Sequence, residues 1–272
     1  MASRVTSSGL GALTARAALA WIRSDQRAAR LERTNFHGRT VTLAAGPALT
    51  AGATLGAALG APTARTAAAA LIAGPASGAV GFYDDLVGNR PEQKTAKGFR
   101  GHLAALLEGR VTSGLVKIAG VGAAGLAAAA LLKKDTGRGS VLLGAGVIAG
   151  TANLLNLLDL RPGRAIKAAT VLGTPLVAGR GGALTAGTLG AGAALLPADL
   201  GEQIMLGDAG ANALGALLGV GFVARTGVTG QAIALGVLGA LTAASEKVSF
   251  TKVIQDTPWL RKADELGRRP NP

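Results

Sequence analysis

The sequence predicts an all-α protein, a polytopic transmembrane bundle of about nine to ten helices. Three observations predict it. Only 16% of the 272 residues are charged, where a soluble domain carries ~25%, and the charges are bunched between long apolar runs. The chain is 49% hydrophobic with a mean hydropathy of +0.39, yet aromatics make up only 3%. Its apolar runs are therefore built of small residues, chiefly alanine with glycine. Finally, the lysines and arginines fall unevenly between alternate connections, as the topology of a membrane protein requires.

Composition also excludes several chemistries. There is no cysteine, so there is no disulfide framework, thiolate zinc site or cysteine nucleophile. The two histidines, His37 and His102, are too isolated for an HExxH-type metal site. No cleavable signal peptide is expected. The net charge of +13 fits basic loops facing anionic headgroups, and no nucleic-acid partner is expected.

Leu10 to Ile22 is apolar but short and is interrupted by Arg16; it reads as a marginal first span or an interfacial helix, since a full span needs ~20 residues. Ser24 to Thr40 is a basic loop containing TNFHGR, with Asn35 and Gly38 as turn formers. Val41 to Gly60 and Thr63 to Tyr83 are spans, and the second delivers Asp84 and Asp85 to its far end. Arg90 to Arg110 is a long basic loop. Ser113 to Leu132 and Ser140 to Leu158 span again, joined by the polar link Lys133 to Gly139. LRPGR, Leu160 to Arg164, is a Pro-Gly turn. Ala165 to Ala178, Ala183 to Leu196, Ala209 to Ala224 and Gly230 to Ala244 complete the spans, with Pro197 to Asp208 as a loop. Residues 1–245 form one transmembrane domain, and 246–272 form a basic, amphipathic tail. GxxxG spacings at Gly52, Gly56 and Gly60 and at Gly215 and Gly219 predict close helix packing.

Counting spans from Asp84 places the Asp84–Asp85, Asp159 and Asp208 ends on one side. That side carries 19 Lys and Arg against six on the other, so the positive-inside rule makes it cytoplasmic and the protein an inner-leaflet-facing plasma-membrane protein.

Paired carboxylates at a membrane edge are suited to a hard divalent cation. Asp84–Asp85, the Asn153–Asn156–Asp159 face and Gly207–Asp208 are predicted to meet around Mg²⁺. Each has a plainer reading: a solvated turn for Asp84–Asp85, an interhelical hydrogen-bond seam for the asparagines, and a helix cap for Asp208. Lys94, Lys97, Arg100 and Arg110 are either positive-inside charges or pyrophosphate contacts, and His102 is either a loop residue or a phosphate contact.

Together, GFYDDLVG, KGFRGH, NLLNLLD and IMLGDAGANALG, with the RTNFHGR loop, resemble the polyprenyl-phosphate N-acetylhexosamine-1-phosphate transferase superfamily. That group includes phospho-MurNAc-pentapeptide translocase and the GlcNAc-1-phosphate transferases. The likeness runs from about Asn35 to Gly219. It implies transfer of a sugar-1-phosphate from a UDP-sugar to polyprenyl phosphate in cell-envelope glycan synthesis, with Mg²⁺ as cofactor (Mn²⁺ as a substitute); a homodimer is left open. It implies catalytic roles for Asp84, Asp85, Asp159 and Asp208, with Asp208 and Asp85 at the metal. Substrate contacts would come from Asn35, Lys97, Arg100, His102, Asn153 and Asn156.

The chain departs from that pattern. The usual DGLDG is Asp159-Leu160-Arg161-Pro162-Gly163 here, so Pro162 replaces the second aspartate. Gly88 stands where a basic residue is common, and the tail from Glu246 has no histidine. These losses keep open a catalytically degenerate relative that binds polyprenyl phosphate or assists assembly. A transporter fits less well, because the polar groups gather at one face and not at the midplane.

Overall fold

The computed structural model describes residues 2–88, 90, 98–133, 137–179 and 181–269. The architecture is all-α, with one small two-stranded hairpin. Helix α1 (Arg4–Ser24) opens the chain. A 3-10 turn (Gln26–Leu31) leads into β1 (Glu32–Thr34) and β2 (Thr40–Thr42), which pair antiparallel. Then come α2 (Ala45–Gly60), α3 (Ala64–Val87), α4 (Gly98–Leu107), α5 (Ser113–Leu132), α6 (Arg138–Leu158), α7 (Arg164–Val177), α8 (Gly182–Leu200), α9 (Gly207–Val223) and α10 (Val228–Ser245). Two short tail helices follow, α11 (Phe250–Asp256) and α12 (Pro258–Glu265).

Five of these helices are long and apolar enough to cross a membrane among the described residues: α3, α5, α6, α8 and α10. Helix α9 is apolar but has 17 residues, and α2 and α7 have 16 and 14, short of the ~20 that cross a bilayer at 1.5 Å per residue. Helix α1 has 21 residues, longer than the sequence suggests because Ser3 accepts a hydrogen bond from the Thr6 amide and starts the helix early; Arg4, Arg16 and Arg23 keep it polar. The expected span at Val41 to Gly60 loses its first turn to β2 and the link after it.

The bundle is organised around α9, which touches α2, α3, α5, α6, α7 and α8 and is buried at all but two positions. Its neighbours come close because the contacts are made by glycine. A Cβ on Gly215 would lie 2.4 Å from the Thr151 carbonyl oxygen of α6, and one on Gly56 would lie 2.8 Å from the Gly187 oxygen of α8. Both expected GxxxG faces are therefore real packing faces. Outward-facing Leu55, Leu71, Ile118, Leu142, Val171, Ile233 and Val237 are exposed. A continuous apolar exterior is stable against hydrocarbon and unstable against water, in keeping with the apolar helices beneath it.

Two connections differ from expectation. The TNFHGR loop is a hairpin, because the Asn35 side-chain oxygen accepts from the His37 and Arg39 amides, both at 2.9 Å. That self-closure lets Gly38 turn the chain at φ +76°. The long basic loop contains α4, whose backbone includes Arg100 and His102. Lys94 and Lys97 lie outside the described residues, as do the side chains of Arg100 and His102.

Candidate functional site

The site is built where the C-terminal end of α3 meets the N-terminus of α9. Four N–H groups at a helix start lack intrahelical partners, and here one distant carboxylate takes two of them. Asp85 accepts from the amides of Asp208 at 2.9 Å and Ala209 at 3.0 Å. Asp159, just past the end of α6, lies near the Gly207 amide, which favours its charged form. Gly207 holds φ +61°, and a Cβ there would lie 2.8 Å from both Asp85 oxygens. Glycine at 207 is what lets the carboxylate close on the helix end. The contact one turn back is as tight: a Cβ on Gly81 would lie 2.3 Å from the Asp208 carbonyl oxygen.

Beside this closed end, Asp84 and Asp208 converge on a side chain of α5. Lys117 Nζ lies 2.7 Å from Asp84 Oδ2 and also pairs with Asp208 Oδ2. The three side chains are 14% (Asp84), 19% (Lys117) and 28% (Asp208) exposed, so the group is sheltered but reachable. Two carboxylates and one ammonium leave a net negative centre. Hard oxygen ligands converging on one cation position suit Mg²⁺, which uses one or two protein carboxylates and otherwise water or substrate oxygens. Asp84 and Asp208 fit that role. Asp85 fits it less well, since both its oxygens are engaged by α9. Among the described residues no group of three His, Cys, Asp or Glu is placed to hold a metal.

The hairpin forms a second polar group beside the first. Glu202, with a side chain only 1% exposed, receives Asn35 Nδ2 at 2.6 Å and His37 Nδ1 at 3.0 Å, and pairs with Arg39 at 3.4 Å. Its backbone sits at φ +52°, a strained value for a residue with a Cβ. Burial by itself pushes the Glu202 carboxyl up, but the Asn35 and His37 hydrogen bonds and the charges of His37 and Arg39 outweigh it and hold it below the usual range. Burial, reinforced by the fields of Asp199, Asp208 and Asp85, pushes the Asp159 carboxyl well above that range. Asn35, Asp159, Arg161, Glu202 and Met205 line a cavity of about 220 Å³, with Phe36 at its edge. The Arg161 guanidinium stacks 4.2 Å from the Phe36 ring centroid.

Of the residues predicted from sequence, Asp84, Asp85, Asp159 and Asp208 come together, and Asn35 lies nearby. Asn153 is placed elsewhere: its Nδ2 donates to Thr242 Oγ1 of α10 at 3.0 Å, the interhelical seam that was its plainer reading. Asn156 is half-buried on α6, and its carbonyl accepts from the Asp159 amide at 3.2 Å. Sequence reasoning assigned no role to Lys117 or Glu202. The signal for Lys117 was present, because a lone ionisable residue in an apolar helix is by default a functional candidate with a partner.

Fold and site together define a helical protein with the surface of a membrane protein and a charged centre at one end of its bundle. A scan against protein-family models and a search of the curated proteins each returned no match.

Proposed function

We propose that the protein transfers a sugar-1-phosphate from a UDP-amino sugar to polyprenyl phosphate, with Mg²⁺, at the cytoplasmic face of the cell membrane. One observation carries the proposal: Asp84 and Asp208, 124 positions apart in the sequence, meet on one cation position beside the α9 N-terminus. The superfamily resemblance of these same residues supports it. So does the distribution of Lys and Arg, which favours nine spans with α1, α2, α7 and α9 counted among them.

In this reading an oxygen of polyprenyl phosphate attacks the β-phosphorus of the UDP-sugar. The bond to the α-phosphate oxygen breaks and UMP leaves. Phosphoryl transfer of this kind depends on positioning and on neutralising spread negative charge. Asp84 orients the lipid phosphate or takes its proton. Lys117, paired with Asp84 and Asp208, would supply positive charge to the diphosphate. Asp85 holds the start of α9 in place. Mg²⁺ at Asp208 and Asp84 would supply charge neutralisation of the diphosphate. The test is release of UMP and formation of lipid-linked sugar by membranes containing the protein. Activity is expected with Mg²⁺ or Mn²⁺ and is lost in Asp208→Asn. Inert wild-type membranes with every common UDP-amino sugar would overturn the reading.

A second reading is a non-catalytic scaffold that binds polyprenyl phosphate. The Pro162 carbonyl favours it: it accepts from Arg268 Nε at 2.8 Å, so a tail contact stands where the superfamily pattern has its second aspartate. Full biological function in an Asp84→Asn/Asp208→Asn double variant would select this reading.

A further inference from the structure

The tail begins where α10 ends, and α10 is one of the helices long and apolar enough to cross a membrane. Only four residues, Glu246 to Ser249, separate Ser245 from α11. The tail then returns to the ends of two more such helices. Arg268 Nε donates to the carbonyl of Pro162, just past α6, at 2.8 Å, and a Cβ on Gly267 would lie 3.2 Å from Leu200 Cδ1 at the end of α8. The ends of α6, α8 and α10 thus set the level of α12, and the level at which spans end is where hydrocarbon gives way to headgroups. Asp264, paired bidentately with Arg164 at 2.8 and 2.9 Å, faces the bundle and fixes the rotation of α12 about its axis. Another edge stays uncovered. Trp259, Ala263 and Leu266 follow one another at i, i+4 and i+7, on one side of the helix; Trp259 is 70% and Leu266 73% exposed, and Ala263 is exposed between them. Lys262 flanks this edge, and Lys247, Lys252, Arg261 and Arg269 are exposed along the tail against Glu246, Asp256 and Glu265. A tryptophan-bearing apolar edge on a short basic helix is the pattern of a helix lying in the membrane interface. A second copy of the chain fits this edge less well. Three side chains offer less than the ~800 Å² per partner that a specific interface buries, and two basic tails repel one another.

We propose that α11 and α12 form an interfacial anchor on anionic lipid, with Trp259 and Leu266 entering the boundary between headgroups and acyl chains and with Lys252 and Lys262 at headgroup phosphates. The anchor rests on the membrane-spanning character of the apolar helices and not on the transfer reaction. It is separate from the Asp84–Lys117–Asp208 centre. Arg268 holds the carbonyl of Pro162, three residues past Asp159, so a seated α12 also steadies the loop that follows Asp159.

The chain has two tryptophans, Trp21 and Trp259, so the full-length Trp21→Phe variant reports on Trp259 alone. It is reconstituted into nanodiscs of phosphatidylcholine containing or lacking phosphatidylglycerol. Its emission is quenched by lipid brominated high on the acyl chain, or by acrylamide from the water. With phosphatidylglycerol present, brominated lipid should quench Trp259 about twofold more strongly than in phosphatidylcholine alone, and acrylamide should quench it less. Lys252→Glu/Lys262→Glu should cancel that difference, because each basic residue contributes about fivefold to binding at an anionic surface. Ala263→Glu, which keeps every cation and puts a charge in the apolar edge, should abolish quenching by lipid. Free access of acrylamide with no quenching by brominated lipid overturns the proposal. So does equal quenching by lipid with and without phosphatidylglycerol, or unchanged quenching in both variants. Shielding of Trp259 from both quenchers overturns it in favour of a second copy over this edge.

Discussion

Asp85 caps a helix that begins 122 residues further along the chain, accepting the Asp208 amide at 2.9 Å and the Ala209 amide at 3.0 Å. Capping from another element ties the end of α3 to the start of α9 and fixes Asp84 relative to Asp208. Asp85→Ala should therefore cost about 1–2 kcal/mol, as for other lost N-caps. It should also reduce any metal-dependent activity more than the loss of stability explains. Thermal unfolding in detergent, alongside UMP release, separates the two effects.

Lys117 balances two carboxylates. Lys117→Met leaves Asp84 and Asp208 facing each other in a sheltered site, with an expected cost of up to about 3 kcal/mol. Adding Asp84→Asn to it should restore part of that stability. A double-mutant cycle on the unfolding midpoint reads the coupling directly.

Gly81→Ala tests how closely α3 and α9 approach. Its Cβ would lie 2.3 Å from the Asp208 carbonyl oxygen, and backbone there has little room to yield. An overpacking cost of about 1–3 kcal/mol is expected. Gly122→Ala, on α5 with open space around it, should leave the unfolding midpoint within about 0.5 kcal/mol.

The tail supplies a pH-dependent contact. Arg164 pairs bidentately with Asp264 at 2.8 and 2.9 Å, and Arg268 joins at 2.5 Å. Burial raises the Asp264 carboxyl, but the Arg164 and Arg268 contacts prevail and hold it below its ordinary value of 3.8. A lowered folded value stabilises docking above the unfolded value, and that contribution is lost as pH falls through the folded one. Glu202 and the hairpin follow the same sign from an ordinary value of 4.5. Hydrogen-exchange protection at residues 32–42 and 250–266, taken relative to the intrinsic rate at each pH, should therefore be flat from neutral pH down to about 5 and then fall below about 4. Asp264→Asn should expose the tail amides at neutral pH while leaving the hairpin protected.

What the sequence made legible follows from physical range. Apolar runs and charge bunching reveal helices and the end of the bundle on which each aspartate falls, because those signals are local. The grouping of Asp84, Asp85, Asp159 and Asp208 is legible through span counting. Partner choice is not, since Lys117 meets Asp208 across 91 residues and Glu202 meets Asn35 across 167. The hairpin escaped notice because each strand has only three residues, too few for alternation to register. Asn153 shows the reverse problem: its spacing with Asn156 and Asp159 is helical, but its position on α6 turns it toward Thr242 of α10.

The charges around Lys117 also set an order of events. With Asp84 and Asp208 sharing the single ammonium of Lys117, an anion approaching those two side chains is repelled until a second cation balances them. A guest bearing phosphate must therefore enter after a cation or together with one, and rapid mixing with nucleotide first and divalent ion second should show a lag that the opposite sequence of additions lacks.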